Sequence, residues 1–378
     1  MKMKPVNRRT FVQGGLLGTV AAGVSAALPA SAAQPDSAPD PKKILNYNPA
    51  MKYRRLGNTN MYLSAISLGG LVVAEQVHHY AIEHGVNLVH MANEYLGGQA
   101  MKTLGNVLKT RRKQVYVAVK DTFRDIDAAL ETLNTDYIDF LMFNRHSGPS
   151  AADPGILETF EKYKKAGKVR FAGLTSHAGV KEATGAGVRS GMYTLVMPAL
   201  SQPNLEAMDE ELRQAQEKGV GVMAFKTMRG LKDRDLEVAY LKKLLRNPGV
   251  TTALKGIGSF EMFDAYLKGV NEPLTSAEDR ALYRYAQANR ALNCMMCDEC
   301  RAACPAGVEV STVLRCKDYY YQQVGDTQTA LATYAAIPAG KTGGEECRIC
   351  RRCEGACPNG IRIVEGLTAA RALFRQLA

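Results

Sequence analysis

Tryptophan is absent, and aromatic residues make up only 7% of the 378-residue chain. Transmembrane β-barrels carry aromatic girdles at both membrane interfaces, and nothing in this composition suggests one. Long apolar runs are also missing. The one candidate, "LLGTVAAGVSAALPASAA", is rich in Ala and Gly and interrupted by Pro29, which is too weak for a stable span. No block of Lys and Arg stands out on a helix or strand face, so the formal net charge of +11 does not imply nucleic-acid binding. Part of that charge is temporary, because residues 1–32 hold Lys2, Lys4, Arg8 and Arg9 and no acid. What is present, 46% hydrophobic and 22% charged residues, is the balance of a globular protein. The length allows one large core and a second small one.

The first 33 residues read as an export signal. A basic start, a mildly apolar middle and the small-residue triplet Ala30-Ser31-Ala32 fit a cleaved leader. The arginine pair in "NRRTFVQGG" resembles the twin-arginine signal, which implies export of an already folded protein to the periplasm or another extracytoplasmic space. Residues 34–50 then read as a Pro-rich linker.

From Tyr53 the chain alternates apolar β-branched runs with amphipathic helical stretches. Expected strands are 63–70, 86–92, 115–120, 138–144, 169–176, 194–201, 220–226 and 251–257. Between them, stretches such as "GILETFEKYKKAG" and "MDEELRQAQEKG" space apolar residues three and four apart and end in Gly, as helix C-caps do. Eight units of this kind predict an α/β fold, a (β/α)8 TIM barrel over 51–272, with a doubly wound open sheet as the alternative. Polar residues at the strand C-terminal ends line the active face of such a barrel. Those positions hold Tyr95, Lys120, Asn144, Thr175, Ser176, Gln202 and Lys226.

Nine cysteines occur, and eight form two copies of C-x2-C-x2-C-x3-C-P, "CMMCDECRAACP" and "CRICRRCEGACP". Disulfide frameworks do not need two identical short spacings, and zinc takes a simpler two-pair layout. The pattern is that of two [4Fe–4S] clusters, in which the fourth Cys of each run ligates the other cluster. One cluster is then expected on Cys294, Cys297, Cys300 and Cys357, and the other on Cys347, Cys350, Cys353 and Cys304. The alternative keeps each run to its own cluster. Cys316 stands apart, and beside Leu314 and Tyr320 it reads as a buried hydrophobe. The Tyr319–Tyr321 run reads as packing.

Several stretches carry a family resemblance. "MKYRRLGNTNMYLSAISLGG", "HGVNLVHMANEYLGG", "DYIDFLMF", "GKVRFAGLTSH" and "GVGVMAFKTMRG" resemble the aldo-keto reductases in order and register over roughly 51–270. The resemblance implies carbonyl reduction with NADPH by an Asp, Tyr, Lys and His tetrad. Tyr95 takes the Tyr position and Lys120 the Lys position. His90 stands at the position of the Asp, and Asn144 at that of the His, with His146 two residues beyond. Glu94 is a stand-in acid. Thr175, Ser176 and Lys226 are the cofactor-binding candidates, and Met197 replaces a Gln that binds the nicotinamide amide. Lys255 and Lys268 are the available cations for an adenosine phosphate, so NADP(H) binding is in doubt.

The long helical segment between the cysteine runs makes 273–378 resemble the helical ferredoxin domains of respiratory iron–sulfur subunits. Such a domain is known fused to the carboxyl end of some aldo-keto reductases. Three functions follow: an exported iron–sulfur oxidoreductase or electron-transfer protein with a modified barrel, an NADPH-dependent carbonyl reductase with clusters as relay, and a non-catalytic barrel that docks the ferredoxin module to a redox complex. The first is preferred. It implies a redox partner protein (a cytochrome, a quinone-linked or another iron–sulfur protein), with a small-molecule substrate possible, no nucleic acid, and no transmembrane segment in the mature chain.

Overall fold

Near-continuous burial of the β-branched runs closes them into a cylinder. The computed structural model describes residues 39–70, 74–227, 231 and 233–377, so the leader reading lies outside the described residues. An antiparallel hairpin of β1 (Tyr53–Arg55) and β2 (Tyr62–Ser64) comes first. Eight parallel strands follow: β3 (Ile66–Leu68), β4 (Leu88–Met91), β5 (Tyr116–Lys120), β6 (Ile138–Asn144), β7 (Val169–Ser176), β8 (Leu195–Pro198), β9 (Gly221–Ala224) and β10 (Thr252–Lys255). They close in the order β10-β3-β4-β5-β6-β7-β8-β9. The expected barrel is therefore the fold, and the open sheet is not.

Two sequence readings change. The run 63–70 is not one strand: Leu63 and Ser64 pair with the hairpin, and the barrel strand begins only at Ile66. Residues 39–50 are not a free linker. Ile44 is buried, and Asn46 Nδ2 donates to the carbonyls of Ile82 (2.6 Å) and Val86 (3.0 Å). Satisfying those backbone acceptors ties the segment to the base of the barrel.

That base is sealed by the hairpin. Leu56 and Leu63 are fully buried, and a Cβ on Gly221, the first residue of β9, would lie 2.0 Å from Leu56 Cδ1. Asn87 joins the parts: its side chain accepts from Ser64 N (2.8 Å) and donates to the carbonyls of Leu45 and Tyr62 (both 2.9 Å). The opposite, C-terminal end of the barrel is thereby left to carry the site.

Helices wrap the strands, with side-chain N-caps where the sequence supplies them. Asp233 caps 234–246, Ser259 caps 260–271, and Thr275 with Glu278 forms a capping box on 276–289. The C-terminal residues pack against the barrel as part of the same unit from Pro39 onward. Lys242 reaches Glu272 (3.1 Å) and Glu278 (2.8 Å), and Lys243 reaches Asp279 (3.1 Å). A short helix, Val310–Leu314, runs directly into a π-helix, Arg315–Val324. π-turns are rare and concentrate at functional sites. This one enters the barrel mouth. The helix Thr327–Ala335 closes over the loop carrying Gly97 (φ +62°), where a Cβ would lie 2.4 Å from Gln328 Oε1. The final helix Ile363–Leu377 stacks Phe374 on Tyr334 at 4.2 Å. Among the described residues no helix is long and apolar enough to cross a membrane.

Asn87→Ala removes three buried hydrogen bonds and strands a backbone N–H and two carbonyls. At about 1 kcal/mol per bond, a loss of roughly 3 kcal/mol is expected in denaturant unfolding, with cluster absorbance unchanged in the folded protein.

Candidate functional site at the barrel mouth

The strand ends bring together part of the expected tetrad. Lys120, the last residue of β5, donates to Tyr95 Oη at 2.7 Å. Its ammonium also meets His177 Nε2 at 3.0 Å. All three side chains are buried. His177 directly follows β7, and it was not among the expected site residues. Its only sequence signal is its place in "GLTSH", one residue beyond a strand end. Asn144 makes neither contact: its backbone N–H donates to Asp121 Oδ1, while its side-chain Oδ1 is buried without a partner among the described residues. His146 Nδ1 accepts from the His177 backbone N–H at 3.1 Å, so its remaining proton sits on Nε2.

Burial controls the charges. It pushes the Lys120 amine down to about 8, with Glu94 pulling it back up and Arg315 lowering it further. It also holds the Tyr95 phenol well above its ordinary value. His177 is held well below the imidazole range by burial, then by Lys120 and Lys226, and His146 is lowered to about 3 by burial and Arg315. Both imidazoles are neutral. The phenol accepts from Lys120, which leaves its own proton available to an acceptor in the mouth.

Glu94 is not a direct substitute for the missing carboxylate. Thr122 Oγ1 bonds it, and no ion pair joins it to Lys120 among the described residues. His90, at the Asp position, has both ring nitrogens buried and unpartnered among the described residues. With Tyr95, Lys226, Tyr319 and Tyr320 it lines a cavity of about 70 Å³.

No disulfide joins the cysteines among the described residues. Cys294, Cys297, Cys300 and Cys357 line one cavity with Leu314 and Ile363. Burial first, then Cys294, Asp298, Cys297 and Cys357, raises the Cys300 thiol. Cys353 lies within electrostatic reach of Cys304 and Cys347. Among the described residues no three His, Cys, Asp or Glu side chains converge as on a single ion. A lone zinc needs thiolates meeting at about 2.3 Å from one point, whereas a cubane is gripped at its corners by thiols around a cavity. The loops repeat their backbone too. Met296 and Asp298 have positive φ (58° and 67°), as do Ile349 and Arg351 (53° and 56°) at the same places in the second run. Left-handed non-glycine residues cost energy and persist where the surroundings hold them.

Comparison with known proteins assigns both halves. Residues 73–243 match the Aldo/keto reductase family and residues 280–361 the 4Fe-4S dicluster domain. The chain is an aldo/keto-reductase-like barrel fused to a 4Fe-4S dicluster domain. The chain is 26% identical over 152 residues to "Uncharacterized oxidoreductase YqkF" of Bacillus subtilis (strain 168), covering 33% of this chain and 49% of that protein. The chain thus spans about half the length of that curated relative. Aldo-keto reductase AKR11C1 from Bacillus halodurans, holo form, superposes with a TM-score of 0.52 at 20% identity, covering 62% of this chain and 96% of that one. A putative aldo-keto reductase, PA4992, from "Pseudomona aeruginosa" gives 0.50 at 18% identity, covering 58% and 95%. At these identities the structural likeness concerns the fold.

Within the aldo/keto-reductase-like barrel, the expected cofactor positions sit beneath the dicluster domain. Lys226 Nζ lies 4.2 Å from the Tyr319 ring centroid and 4.9 Å from that of Tyr320. Those tyrosines are packing groups, as read from sequence, but they pack on the site. Thr175 Oγ1 is buried without a partner among the described residues, Ser176 Oγ donates to Ala178 O at 2.7 Å, and Met197 is buried. Lys255 is buried against Tyr266 (4.3 Å to the centroid), and Lys268 lies exposed on a helix beside Glu272. The dicluster domain also contributes Arg315, a residue without any sequence signal for this role. Its guanidinium is buried, and Nε and Nη1 have no partner among the described residues.

Lys120 has a consequence for stability. The unfolded chain keeps that proton up to about 10.5, while the folded site releases it at about 8. Between those values the unfolded state binds more protons, so stability rises with pH. Lys120→Met removes this contribution. The wild-type stability, less that of the variant, is expected to climb by roughly 3 kcal/mol from pH 8 to pH 10.5, read from denaturant unfolding across that range.

Proposed function

We propose that the protein is an exported iron–sulfur oxidoreductase whose modified barrel binds a small substrate at the junction with the dicluster domain. One observation carries this reading. A cavity of about 570 Å³ is walled on one side by His146, Ser147 and Gly179 of the barrel, and on the other by Cys297, Asp298 and Glu299 of the first cysteine run. A neighbouring cavity of about 590 Å³ shares His146, Ser147 and Asp298 and extends to Glu94, Thr122, Asn144 and Arg315. Barrel polar groups and a cysteine loop therefore face the same space.

Cys294, Cys297, Cys300 and Cys357 would hold one [4Fe–4S] cluster, and Cys347, Cys350, Cys353 and Cys304 the other. When bound, the clusters supply single electrons at potentials set by burial and hydrogen bonding around the sulfurs. The second run faces outward, with Arg348, Ile349, Cys350, Arg351 and Arg352 exposed, which suits access by a redox partner protein.

In the mouth, Lys120 orients the Tyr95 phenol and keeps its proton poised. His177 holds the Lys120 ammonium from the other side. His146 offers Nε2–H to the larger cavity and, lowered to about 3, stays neutral across physiological pH. Among the described residues Tyr95 lines a cavity of about 70 Å³, whereas small-molecule sites commonly run from about 300 Å³ upward. That restriction, with Tyr319 and Tyr320 over Lys226, argues against nicotinamide-dependent carbonyl reduction at this end.

Protein prepared without oxygen and reduced with dithionite is expected to give electron paramagnetic resonance signals of two clusters, and NADPH fluorescence is expected to be unchanged by it. Tight stoichiometric NADPH binding would shift the reading to a nucleotide-dependent reductase, and colourless iron-free protein would end it. Export by the twin-arginine route is tested separately. Arg8→Lys with Arg9→Lys is expected to leave the folded protein in the cytoplasm, and unchanged export of that variant would remove the assignment.

A further inference from the structure

We propose that the cavity of about 590 Å³ at the domain junction binds a small carboxylate, held by the guanidinium of Arg315. This deepens the function proposed above and rests on it for the cavity's role as the substrate site. Arg315 begins the π-helix and lines that cavity. It is 4% exposed, and Nε and Nη1 lack a partner among the described residues. A lysine in such a place holds its proton less firmly, as Lys120 does. A guanidinium does not shed its proton, so it stays charged wherever it is buried. An uncompensated buried charge is costly enough that a site retaining one is organised around a counter-ion.

The acids lining the same cavity are already engaged. Glu94 is bonded by Thr122, Asp298 by Ser311, and Glu309 by Arg301 Nε at 3.0 Å. Arg315 also acts at a distance on Asp298 and Glu309, with neither of which it is paired among the described residues. Together with Lys120 and Lys226 it lowers both His146 and His177. An anionic ligand is therefore favoured, and the planar fork of a guanidinium matches the two oxygens of a carboxylate. Asn144 and His146 line the barrel side of the same cavity, where a polar group carried by the acid would meet them.

The test uses the full, cluster-loaded chain at low ionic strength, titrated calorimetrically with acetate and glycolate, and with acetamide as the neutral isostere. Saturable one-to-one binding of the acids is expected, with acetamide silent. Arg315→Gln is expected to weaken acid binding at least tenfold. Arg315→Lys is expected to weaken it several-fold, since charge remains but the fork is lost. Glu94→Gln is expected to strengthen it by removing a competing carboxylate. Acid binding that equals that of acetamide, or that is unchanged in Arg315→Gln, overturns the proposal. If the glutamine variant loses its clusters, the lysine variant decides, and full affinity there overturns it. Paramagnetic resonance of the same sample before titration separates the two readings. Intact clusters without carboxylate binding sink the site alone, whereas absent clusters sink the function on which it rests.

Discussion

The arrangement of the mouth depends on the π-helix Arg315–Val324 being seated over the strand ends. That contact removes water from Lys120, Tyr95, His146 and His177, and it brings a permanent cation among them. Desolvation and positive charge act in the same direction on each base. Lys120 moves toward neutrality, the imidazoles lose their protons, and the phenol keeps its own. The dicluster domain is thus part of the barrel's electrostatics as well as its neighbour in sequence.

The barrel divides its tasks between its ends, as its architecture allows. At the base, Leu56, Leu63 and the Asn87 hydrogen bonds close the cylinder with apolar packing and satisfied backbone groups. At the mouth, His90, Asn144, Thr175 and Arg315 all keep buried polar atoms without partners among the described residues. Buried polar groups are normally paired. Their concentration at one end is a departure from that rule of the kind associated with ligand sites.

Much of the fold was legible. All eight barrel strands lie within the expected runs, because strands buried on both faces must be almost wholly apolar and the intervening helices must not be. The splitting of 63–70 was hidden, since a hairpin strand and a barrel strand read alike when Ala65 between them is also buried. The docking of residues 39–50 was hidden for a different reason. It rests on Asn46 Nδ2 donating to the carbonyl of Ile82 and on the Tyr53 hydroxyl bonding the carbonyls of Asn46 and Gly85, and polar side chains in a Pro-rich stretch look like solvated linker. Tyr95 and Lys120 were found by their places at strand ends. His177 and Arg315 were not, the first because Asn144 stood at the expected position, the second because it belongs to another domain.

The sequence by itself determined the alternation of strands and helices, the two four-cysteine runs and the residues at the strand ends, since each of these is written in local spacing and residue chemistry. Only the tertiary structure decided which thiols share a cavity, which histidine meets Lys120, and that an arginine from the dicluster domain stands in the barrel mouth. Those relations join residues as far apart as Lys120 and Arg315. Their energies come from desolvation and charge across a domain contact, which no local pattern encodes.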